Sequence, residues 1–120
     1  AVETVSSDMT LEELVQQHFL RKGGLAFPVV EDRELKGIVT LSGLRRIPKD
    51  RWPEAHVTEV TEPLGDEEWI IPQAEAGEVF GRLLRNGERR LLVVESGVVV
   101  GAVNRNELLN YMRVKRELGI

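Results

Sequence analysis

The sequence contains no cysteine, and this absence excludes disulfide bridges, thiol catalysis and thiolate metal sites. Aromatic residues make up only 5% of its 120 residues, which leaves few side chains for stacking nucleic-acid bases. With a net charge of −4, the chain has no obvious basic surface that would bind the phosphate backbone of a nucleic acid. The longest apolar run is 91–94, whereas a membrane-spanning helix needs about 20 residues. Nucleic-acid binding and direct membrane insertion are therefore both disfavoured.

Catalytic and metal-binding patterns are also missing. No serine has a histidine at a spacing that would indicate a catalytic pair, and the sequence contains no glycine-rich phosphate-binding loop. His18 and His56 lack the spaced acidic partners that a metal site needs. We therefore expect no catalytic residue, no bound metal and no enzyme activity in this chain. Because it opens Ala1-Val2-Glu3 without a signal-peptide pattern, we also expect it to be part of a longer protein.

What is present is a folded-domain composition, 42% hydrophobic and 30% charged, arranged as an internal repeat. When the chain is shifted by 64 residues, ten of the thirty positions from 15 to 44 are identical. These positions are Val15, Leu20, Arg21, Gly23, Val29, Val30, Glu31, Gly37, Val39 and Leu44. Upstream the better shift is 65, which matches Leu11 with Ala76 and Leu14 with Val79. The first copy therefore contains one residue more than the second.

Each copy has the same predicted order of elements, β-α-β-β-α. A Thr10-x-x-Glu13 capping box begins the first amphipathic helix, and Gly23-Gly24 ends it. The predicted elements are strands at 3–6, 26–31 and 35–40 with a final helix at 41–47, and strands at 69–71, 90–95 and 98–103 with helices at 75–85 and from 105 onward. A proline-containing connector at 48–68 separates repeat 1 (1–47) from repeat 2 (69–120).

The predicted fold class is α/β in the wider sense, or α+β. Units of about 50 residues bury too little apolar surface to be stable alone, so we expect the two repeats to pack around a pseudo-twofold axis. Gly37 and Gly101 occupy the same place in the two returning strands, where glycine is unfavourable unless backbone or ligand approaches closely. We therefore expect a close approach at both glycines.

The strand Phe27-Pro28-Val29-Val30-Glu31, followed by Gly37-Ile38-Val39-Thr40 in a repeated frame, resembles a cystathionine-β-synthase (CBS) domain. Two such repeats in tandem resemble a Bateman module, and the resemblance covers essentially the whole chain. The segments 11–15, 19–21, 26–30, 45–48, 52–53 and 57–60 further resemble the CBS pair of site-2 protease-like zinc metalloproteases, which are membrane enzymes. The chain has no His-Glu-x-x-His motif, so a protease domain would lie outside these residues.

The resemblance implies an adenosine-type ligand, namely AMP, ADP, ATP or S-adenosylmethionine, in a cleft between the repeats. The family pattern has a hydroxyl residue followed three positions later by an aspartate, and these groups hold a ribose. Repeat 1 has Thr40 but Gly43 in place of the acid, whereas repeat 2 has Asn104 in place of the hydroxyl and Glu107 as the acid. Asn104-x-x-Glu107 is also a helix-capping pattern, and both readings stay open.

The remaining candidate ligand contacts lie on or beside the central strands. The resemblance implies that backbone at strand ends frames an adenine, with Pro28 and Leu92 as candidate ligand contacts, and that Arg89 and Arg90 meet phosphate. A solvated strand end is the other explanation of the two arginines. We therefore interpret the chain as a non-catalytic regulatory module, cytoplasmic and attached to a membrane metalloprotease, that forms a homodimer. The alternative is a structural or dimerisation module that binds no ligand.

Overall fold

Two three-stranded sheets of the same topology, one from each repeat, organise the structure. The computed structural model describes residues 2–85 and 90–120. Its contacts divide the chain into a first unit, Glu3–Leu64, and a second unit, Gly65–Ile120, which Val2 also joins. In each sheet the short first strand runs parallel to the middle strand, and the third strand is antiparallel to it. The predicted mixed architecture of strands and helices is confirmed.

The first unit contains three strands and a helical segment in the predicted order. Strands β2 and β3 are joined by a two-residue turn at Asp32 and Arg33, whose φ angles of 50° and 70° are typical of tight hairpins. The final helix is shorter than the predicted 41–47, and the chain continues from it as a turn. The elements are β1 (Val5–Ser6), α1 (Leu11–Leu14), a π-helical segment (Val15–Phe19), α2 (Leu20–Lys22), β2 (Ala26–Glu31), β3 (Glu34–Thr40) and α3 (Leu41–Leu44).

The second unit repeats this order with longer helices. Its hairpin turns at Ser96 and Gly97, again with positive φ angles. The last helix ends where Gly119 adopts a left-handed conformation with a φ of 70°, a common helix terminus. The elements are β4 (Trp69–Ile70), α4 (Ala76–Arg85), β5 (Arg90–Glu95), β6 (Val98–Asn104) and α5 (Arg105–Leu118). None of the helices described is long and apolar enough to cross a membrane.

The extra residue of the first repeat falls in the π-helical segment. The amide of Leu20 donates to the carbonyl of Val15, five residues back, where an α-helix would bond four residues back. On either side the strands are equivalent, because Val5 pairs with Val29 in the first sheet as Ile70 pairs with Val93 in the second. The predicted extra residue of the first repeat is therefore confirmed, and the wider turn of the π-helical segment accommodates it.

The connector between the repeats forms short helical turns rather than one long element. Three 3-10 helices lie along it, and the middle one begins at Val57. The indole nitrogen of Trp52 donates to the carbonyl of Ile47 at 3.0 Å, which ties the start of the connector to the end of the first repeat. The 3-10 helices are Lys49–Arg51, Val57–Glu59 and Asp66–Glu68.

Each unit has its own apolar core. The first core includes three connector residues besides residues of the repeat itself, whereas the second core is smaller. The first comprises Val5, Leu11, Leu14, Phe19, Phe27, Val29, Val39, Leu44, Ala55, Val57 and Val60. The second comprises Ile70, Val79, Leu83, Leu91 and Leu108.

The expected close approach is found at only one of the two strand glycines. A Cβ atom on Gly37 would lie 2.2 Å from the carbonyl oxygen of Glu62, so no other residue fits there without a shift of backbone. At Gly101 the nearest atom would be the Cβ of Val93 at 3.9 Å, an ordinary contact. No described backbone therefore approaches Gly101 as Glu62 approaches Gly37, and the approach of a ligand at Gly101 stays a prediction.

Candidate ligand site

A cavity of about 370 Å³ opens in the second unit between strand β4, the start of helix α4 and helix α5. Its walls are largely apolar, and the carboxylate residue Glu107 and the phenol residue Tyr111 are the polar exceptions. The lining residues are Ile70, Ile71, Pro72, Ala74, Ala76, Val79, Val93, Val103, Glu107, Leu108 and Tyr111. Concave, mostly apolar cavities of this size with a few polar groups are the usual sites of small ligands.

Small side chains help to keep this cavity open. Ala76 and Val79 line it, and their counterparts in the first repeat are Leu11 and Leu14, both completely buried. The replacement of two leucines by shorter residues removes side-chain volume from the same wall of the unit. The smaller residues of the second copy are therefore a sequence signal for the cavity, although they belong to no motif. Tyr111 was not among the predicted site residues.

The corresponding face of the first unit is closed by the connector. Ala55 and Val57 are buried there, and the carbonyl of Ala55 accepts a hydrogen bond from the Leu11 amide at 2.9 Å. The amide of Val57 donates to the carbonyl of Met9 at 2.8 Å. Apolar side chains and backbone hydrogen bonds thus cover the face on which the second unit has its cavity.

Asn104 and Glu107 begin helix α5 at the edge of the cavity. The side-chain oxygen of Asn104 accepts from the Glu107 amide at 2.7 Å, and its side-chain nitrogen donates to the Glu107 carboxylate at 3.2 Å. The capping interaction predicted from this pattern is therefore present. Glu107 is nevertheless exposed, and its carboxylate has oxygen lone pairs left to accept from a ligand.

In the first unit, Thr40 caps helix α3 in the same way. Its hydroxyl oxygen accepts from the amide of Gly43 at 3.0 Å. Gly43 is buried, and a Cβ atom on it would lie 3.3 Å from that hydroxyl. An acidic side chain at position 43 would therefore crowd the cap.

The other candidate ligand contacts differ in accessibility. Pro28 and Leu92 are both buried in their middle strands, so their side chains are not presented to solvent. Arg90 is the exposed first residue of β5 and lies opposite Asn104 in the antiparallel ladder, next to the edge of the cavity. Arg89 lies outside the described residues.

Both histidines contact other residues of the first unit. The Nδ1 atom of His18 lies at hydrogen-bond distance from the Glu3 carboxylate, and its ring stacks edge-on against Phe27 at 5.5 Å between ring centroids. The backbone amide of His56 donates to the carboxylate of Glu59 at 2.9 Å. Within residues 2–85 and 90–120, no group of three histidine or acidic residues is placed to hold a metal ion.

Two carboxyl groups of the first unit have perturbed titration. The backbone amide of Thr10, which donates to the Glu13 carboxylate at 3.1 Å, is the main cause that lowers the pKa of Glu13. The His56 amide lowers the pKa of Glu59 in the same way, with a further contribution from Arg51. Both groups are fully exposed, so these shifts describe helix capping rather than a buried catalytic acid.

Comparison with protein-family models now identifies the fold. The model of the CBS domain matches residues 1–50 and again residues 68–114. The chain belongs to the CBS domain family. Two CBS domains therefore stand in tandem, and such domains are generally regulatory rather than catalytic. A search of curated proteins gave no match.

Solved CBS-domain structures have the same fold. The chain is similar to the CBS domain of a CBS domain-containing membrane protein from Sphaerobacter thermophilus, with 27% identity and a TM-score of 0.66 over 91% of this chain and 80% of that one. It is 25% identical to the cytosolic domain of the Mg²⁺ channel MgtE in complex with ATP, with a TM-score of 0.72 over 92% of this chain and 44% of that one. CBSX2 in complex with AMP is 18% identical, with a TM-score of 0.73 over 96% and 90% of the two chains.

Proposed function

We propose that this CBS pair is a regulatory module that binds an adenosine-type ligand in the cavity of its second unit. The observation that carries the proposal is an apolar cavity of about 370 Å³ with an exposed carboxylate, Glu107, among its lining residues. The CBS structures that contain AMP and ATP support an adenosine compound as the class of ligand. AMP, ADP, ATP and S-adenosylmethionine are the ligands to test.

The chemistry of the cavity matches the parts of such a ligand. Apolar side chains such as Ile71 and Val103 suit a flat purine ring. The Glu107 carboxylate can accept from two adjacent ribose hydroxyls, and charge assists those hydrogen bonds. Arg90, opposite Asn104 in the ladder, offers a positive charge for a phosphate near the same edge.

Regulation requires more than binding. A ligand shifts the equilibrium between two conformations only when it binds one of them more tightly than the other. We propose that the adenosine compound favours one arrangement of the module and that an attached domain responds to this change.

Calorimetric titration with AMP, ADP, ATP and S-adenosylmethionine tests the ligand site directly. We expect Glu107→Ala to weaken binding about tenfold or more, since a charge-assisted hydrogen bond is lost. The Asn104 cap accepts from the Glu107 backbone, so the helix cap survives the substitution. Glu117→Ala is the matched control, because Glu117 is an exposed glutamate on the same helix and is not part of the cavity lining. Equal binding by both variants would place the ligand elsewhere.

The alternative function is a structural or dimerisation module. Helix α5 favours it, because several apolar side chains on this helix are exposed, among them Leu109, Met112 and Val114. Whichever function holds, we propose that two chains associate as a closed homodimer. Light scattering at tens of micromolar should give twice the monomer mass, and a monomer mass would contradict the dimer. If no adenosine compound gives heat or raises the melting temperature at millimolar concentration, the structural function is preferred.

We further propose that the module belongs to a membrane zinc metalloprotease of the site-2 type and faces the cytoplasm. The resemblance of several sequence segments to the CBS pairs of those proteases supports this, and a CBS domain of a membrane protein is 27% identical to this chain. The full-length coding sequence is the test. Hydrophobic segments of about 20 residues together with a His-Glu-x-x-His motif would support the proposal. A parent without them would contradict it.

A further inference from the structure

The first unit binds its connector through two isolated backbone bridges and a group of buried apolar side chains. His56 pairs with Thr10 at the start of α1, and Glu62 pairs with Ile38 on strand β3. Three connector side chains around these bridges are buried in the first core, namely Ala55, Val57 and Val60. The connector segment 55–62 is therefore attached to this unit at both of its ends.

The second unit has a counterpart of each residue that forms a bridge. Thr10 corresponds to Glu75 by the shift of 65, and Ile38 corresponds to Ala102 by the shift of 64. Among residues 2–85 and 90–120, both isolated bridges belong to the first unit. The two places that hold the connector in one repeat thus have no such partner in the part of the other repeat that the structure describes.

Strand β6 leaves Ala102 available for a backbone partner. It is the edge strand of the second sheet, as β3 is of the first. The pairing of Ala102 with Leu92 has the register that Ile38 has on β2. The amide and carbonyl of Ile38 both bond to Glu62 at the open edge, and the equal register directs those of Ala102 to the same side. An edge strand with free backbone groups readily pairs with another segment.

Gly101 keeps the room that such a partner needs beside this edge. At its counterpart, Gly37, a Cβ atom would lie 2.2 Å from the Glu62 carbonyl, so the bound connector itself requires a glycine there. At Gly101 the nearest described atom would be 3.9 Å away. Glycine costs sheet stability unless something approaches closely. The second repeat therefore has the glycine of a docking site without a described segment that needs it.

The cavity of the second unit corresponds to the space beside the connector side chains in the first unit. In the first core these side chains belong to one cluster with three leucines, Leu11, Leu14 and Leu44. The counterparts of those leucines all line the cavity, and they are Ala76, Val79 and Leu108. Apolar side chains of a docked segment would therefore enter the cavity while its backbone bonds to the edge strand.

We propose that the second unit binds a short apolar segment as the first unit binds residues 55–62, and that this segment is the stretch of the parent protein ahead of Ala1. The order of the repeats supports this source, because the connector lies ahead of the second repeat and binds the first unit. Val2, which lies ahead of β1, groups with the second unit. By the shift of 65, Ala55 corresponds to the eleventh residue ahead of Ala1 and Glu62 to the fourth.

The docked segment gives the proposed function a means of regulation, and this step rests on that function. The apolar side chains of the segment and an adenosine compound fill the same cavity, so each excludes the other. Binding of the ligand then releases a stretch that is covalently joined to the rest of the parent protein. Competition of this kind lowers the apparent affinity for the ligand by the fraction of chains whose cavity is free.

Amide hydrogen exchange tests the docking, because hydrogen-bonded amides exchange slowly. The 120-residue chain is compared with a chain extended upstream, from the full coding sequence, to include the counterparts of residues 52–62. In the shorter chain the amide of Ala102 should exchange fast and that of Ile38 slowly. In the extended chain the amides of Ala102 and Ala76 should exchange about tenfold more slowly or less.

Two results of this comparison overturn the inference. An Ala102 amide that already exchanges slowly in the shorter chain would mean that the edge of β6 is not free. A coding sequence with too few residues ahead of Ala1 to supply the counterpart of Ala55 would exclude the assigned source.

Gly101→Ala is the discriminating variant. In the shorter chain it should leave the melting temperature nearly unchanged, since the new Cβ atom makes only an ordinary contact. In the extended chain it should remove the protection of Ala102 and Ala76, because the Cβ atom collides with the docked backbone as it would at Gly37. Val100→Thr, at the exposed neighbouring residue of the strand, is the matched control and should keep the protection. Protection that survives Gly101→Ala would overturn the placement on this edge.

Calorimetry with AMP on both chains separates this inference from the proposed function. We expect AMP to bind the extended chain about tenfold more weakly than the shorter chain. AMP binding without added protection in the extended chain refutes the docking and leaves the ligand site. Protection without AMP binding to either chain supports the docking and refutes the ligand site. Protection with equal AMP affinity of the two chains overturns the shared cavity, and the absence of both refutes both.

Discussion

The first unit covers its core with the connector that follows it, whereas the second unit leaves the corresponding face open as a cavity. The strands, the hairpins and the N-terminal caps of α3 and α5 are otherwise equivalent. The difference arises after the last helix of each repeat, because α3 ends at Leu44 and the chain folds back, while α5 continues to Leu118. A repeated fold can therefore close a face in one copy and leave it open in the other without a change in its sheets.

The backbone shows the same contrast. In the first unit, Ala55 and Val57 form hydrogen bonds with Leu11 and Met9. In the part of the second unit that the structure describes, no segment makes the corresponding bonds to Ala76 and Ala74. The open face thus exposes polar backbone as well as apolar side chains, which suits a ligand with both kinds of surface.

The largest expected effect comes from replacing a large buried residue of the first unit by the small residue that the second unit has at the same place. Leu11→Ala makes this change, because Ala76 is the counterpart of Leu11. Because Leu11 is fully buried, we expect the free energy of unfolding to fall by about 2–5 kcal/mol. Urea denaturation, followed through Trp52 fluorescence in a Trp69→Phe background, measures this. Leu20→Ala, at a residue 68% exposed, is the control and should change stability by less than about 0.5 kcal/mol.

The strand glycines provide a second contrast between the units. Gly37→Ala forces a Cβ atom to within 2.2 Å of the Glu62 carbonyl, and we expect a loss of about 1–3 kcal/mol. Gly101→Ala makes only an ordinary contact and should stay within about 0.5 kcal/mol of wild type. Thermal melts of the two variants give the comparison. Equal destabilisation would mean that the glycines have the same role.

Filling the open cavity should make the second unit resemble the first. Ala76→Leu restores the large residue found at Leu11, and we expect a gain of about 0.5–2 kcal/mol together with weaker binding of adenosine-type ligands. Gln73→Leu introduces the same side chain at an exposed residue outside the cavity lining and serves as control. Calorimetry and melting temperature are measured on both variants. Unchanged ligand affinity in Ala76→Leu would separate the cavity from the ligand site.

The smallest expected effect is a dependence of stability on acid pH. The pKa values of Glu13 and Glu59, both in the first unit, lie below the ordinary value of 4.5. A carboxyl with a lowered folded-state pKa stabilises the fold at pH above the ordinary value, and this contribution is lost as pH falls through the lowered one. Glu13→Gln combined with Glu59→Gln should flatten the fall in urea midpoint below about pH 4.5. An equally steep fall in the double variant would exclude these two groups as its cause.

Most of the fold could be predicted from local sequence. Alternating strands and turn residues predicted β2 and β5 with their bounds, because register and hairpin geometry depend on neighbouring residues. The capping box at Thr10 could also be predicted from the sequence. The early end of α3 could not be predicted, since nothing in the sequence pattern before Pro48 ends the helix.

The candidate sites were only partly predictable. Asn104 and Glu107 could be found because their spacing is local. The cavity could be predicted only in part, from the smaller residues Ala76 and Val79, because it also depends on how a distant connector packs in one unit and on the lack of a described counterpart in the other. The bridge between Ile38 and Glu62 could not be predicted either, since it joins residues far apart in sequence.

The π-helical segment at Val15–Phe19 has a consequence for how such repeats change over time. Inserting one residue into a continuous α-helix rotates everything beyond it by about 100°, which would turn the apolar face away from the core. The π-helical hydrogen bonding of this segment, in which an amide bonds to the carbonyl five residues back, absorbs the insertion locally, so that Phe19 stays buried and the strands keep their pairing. Insertions and deletions of one residue in this turn are therefore compatible with the fold, and repeat copies in related proteins can differ in length without losing their shared architecture.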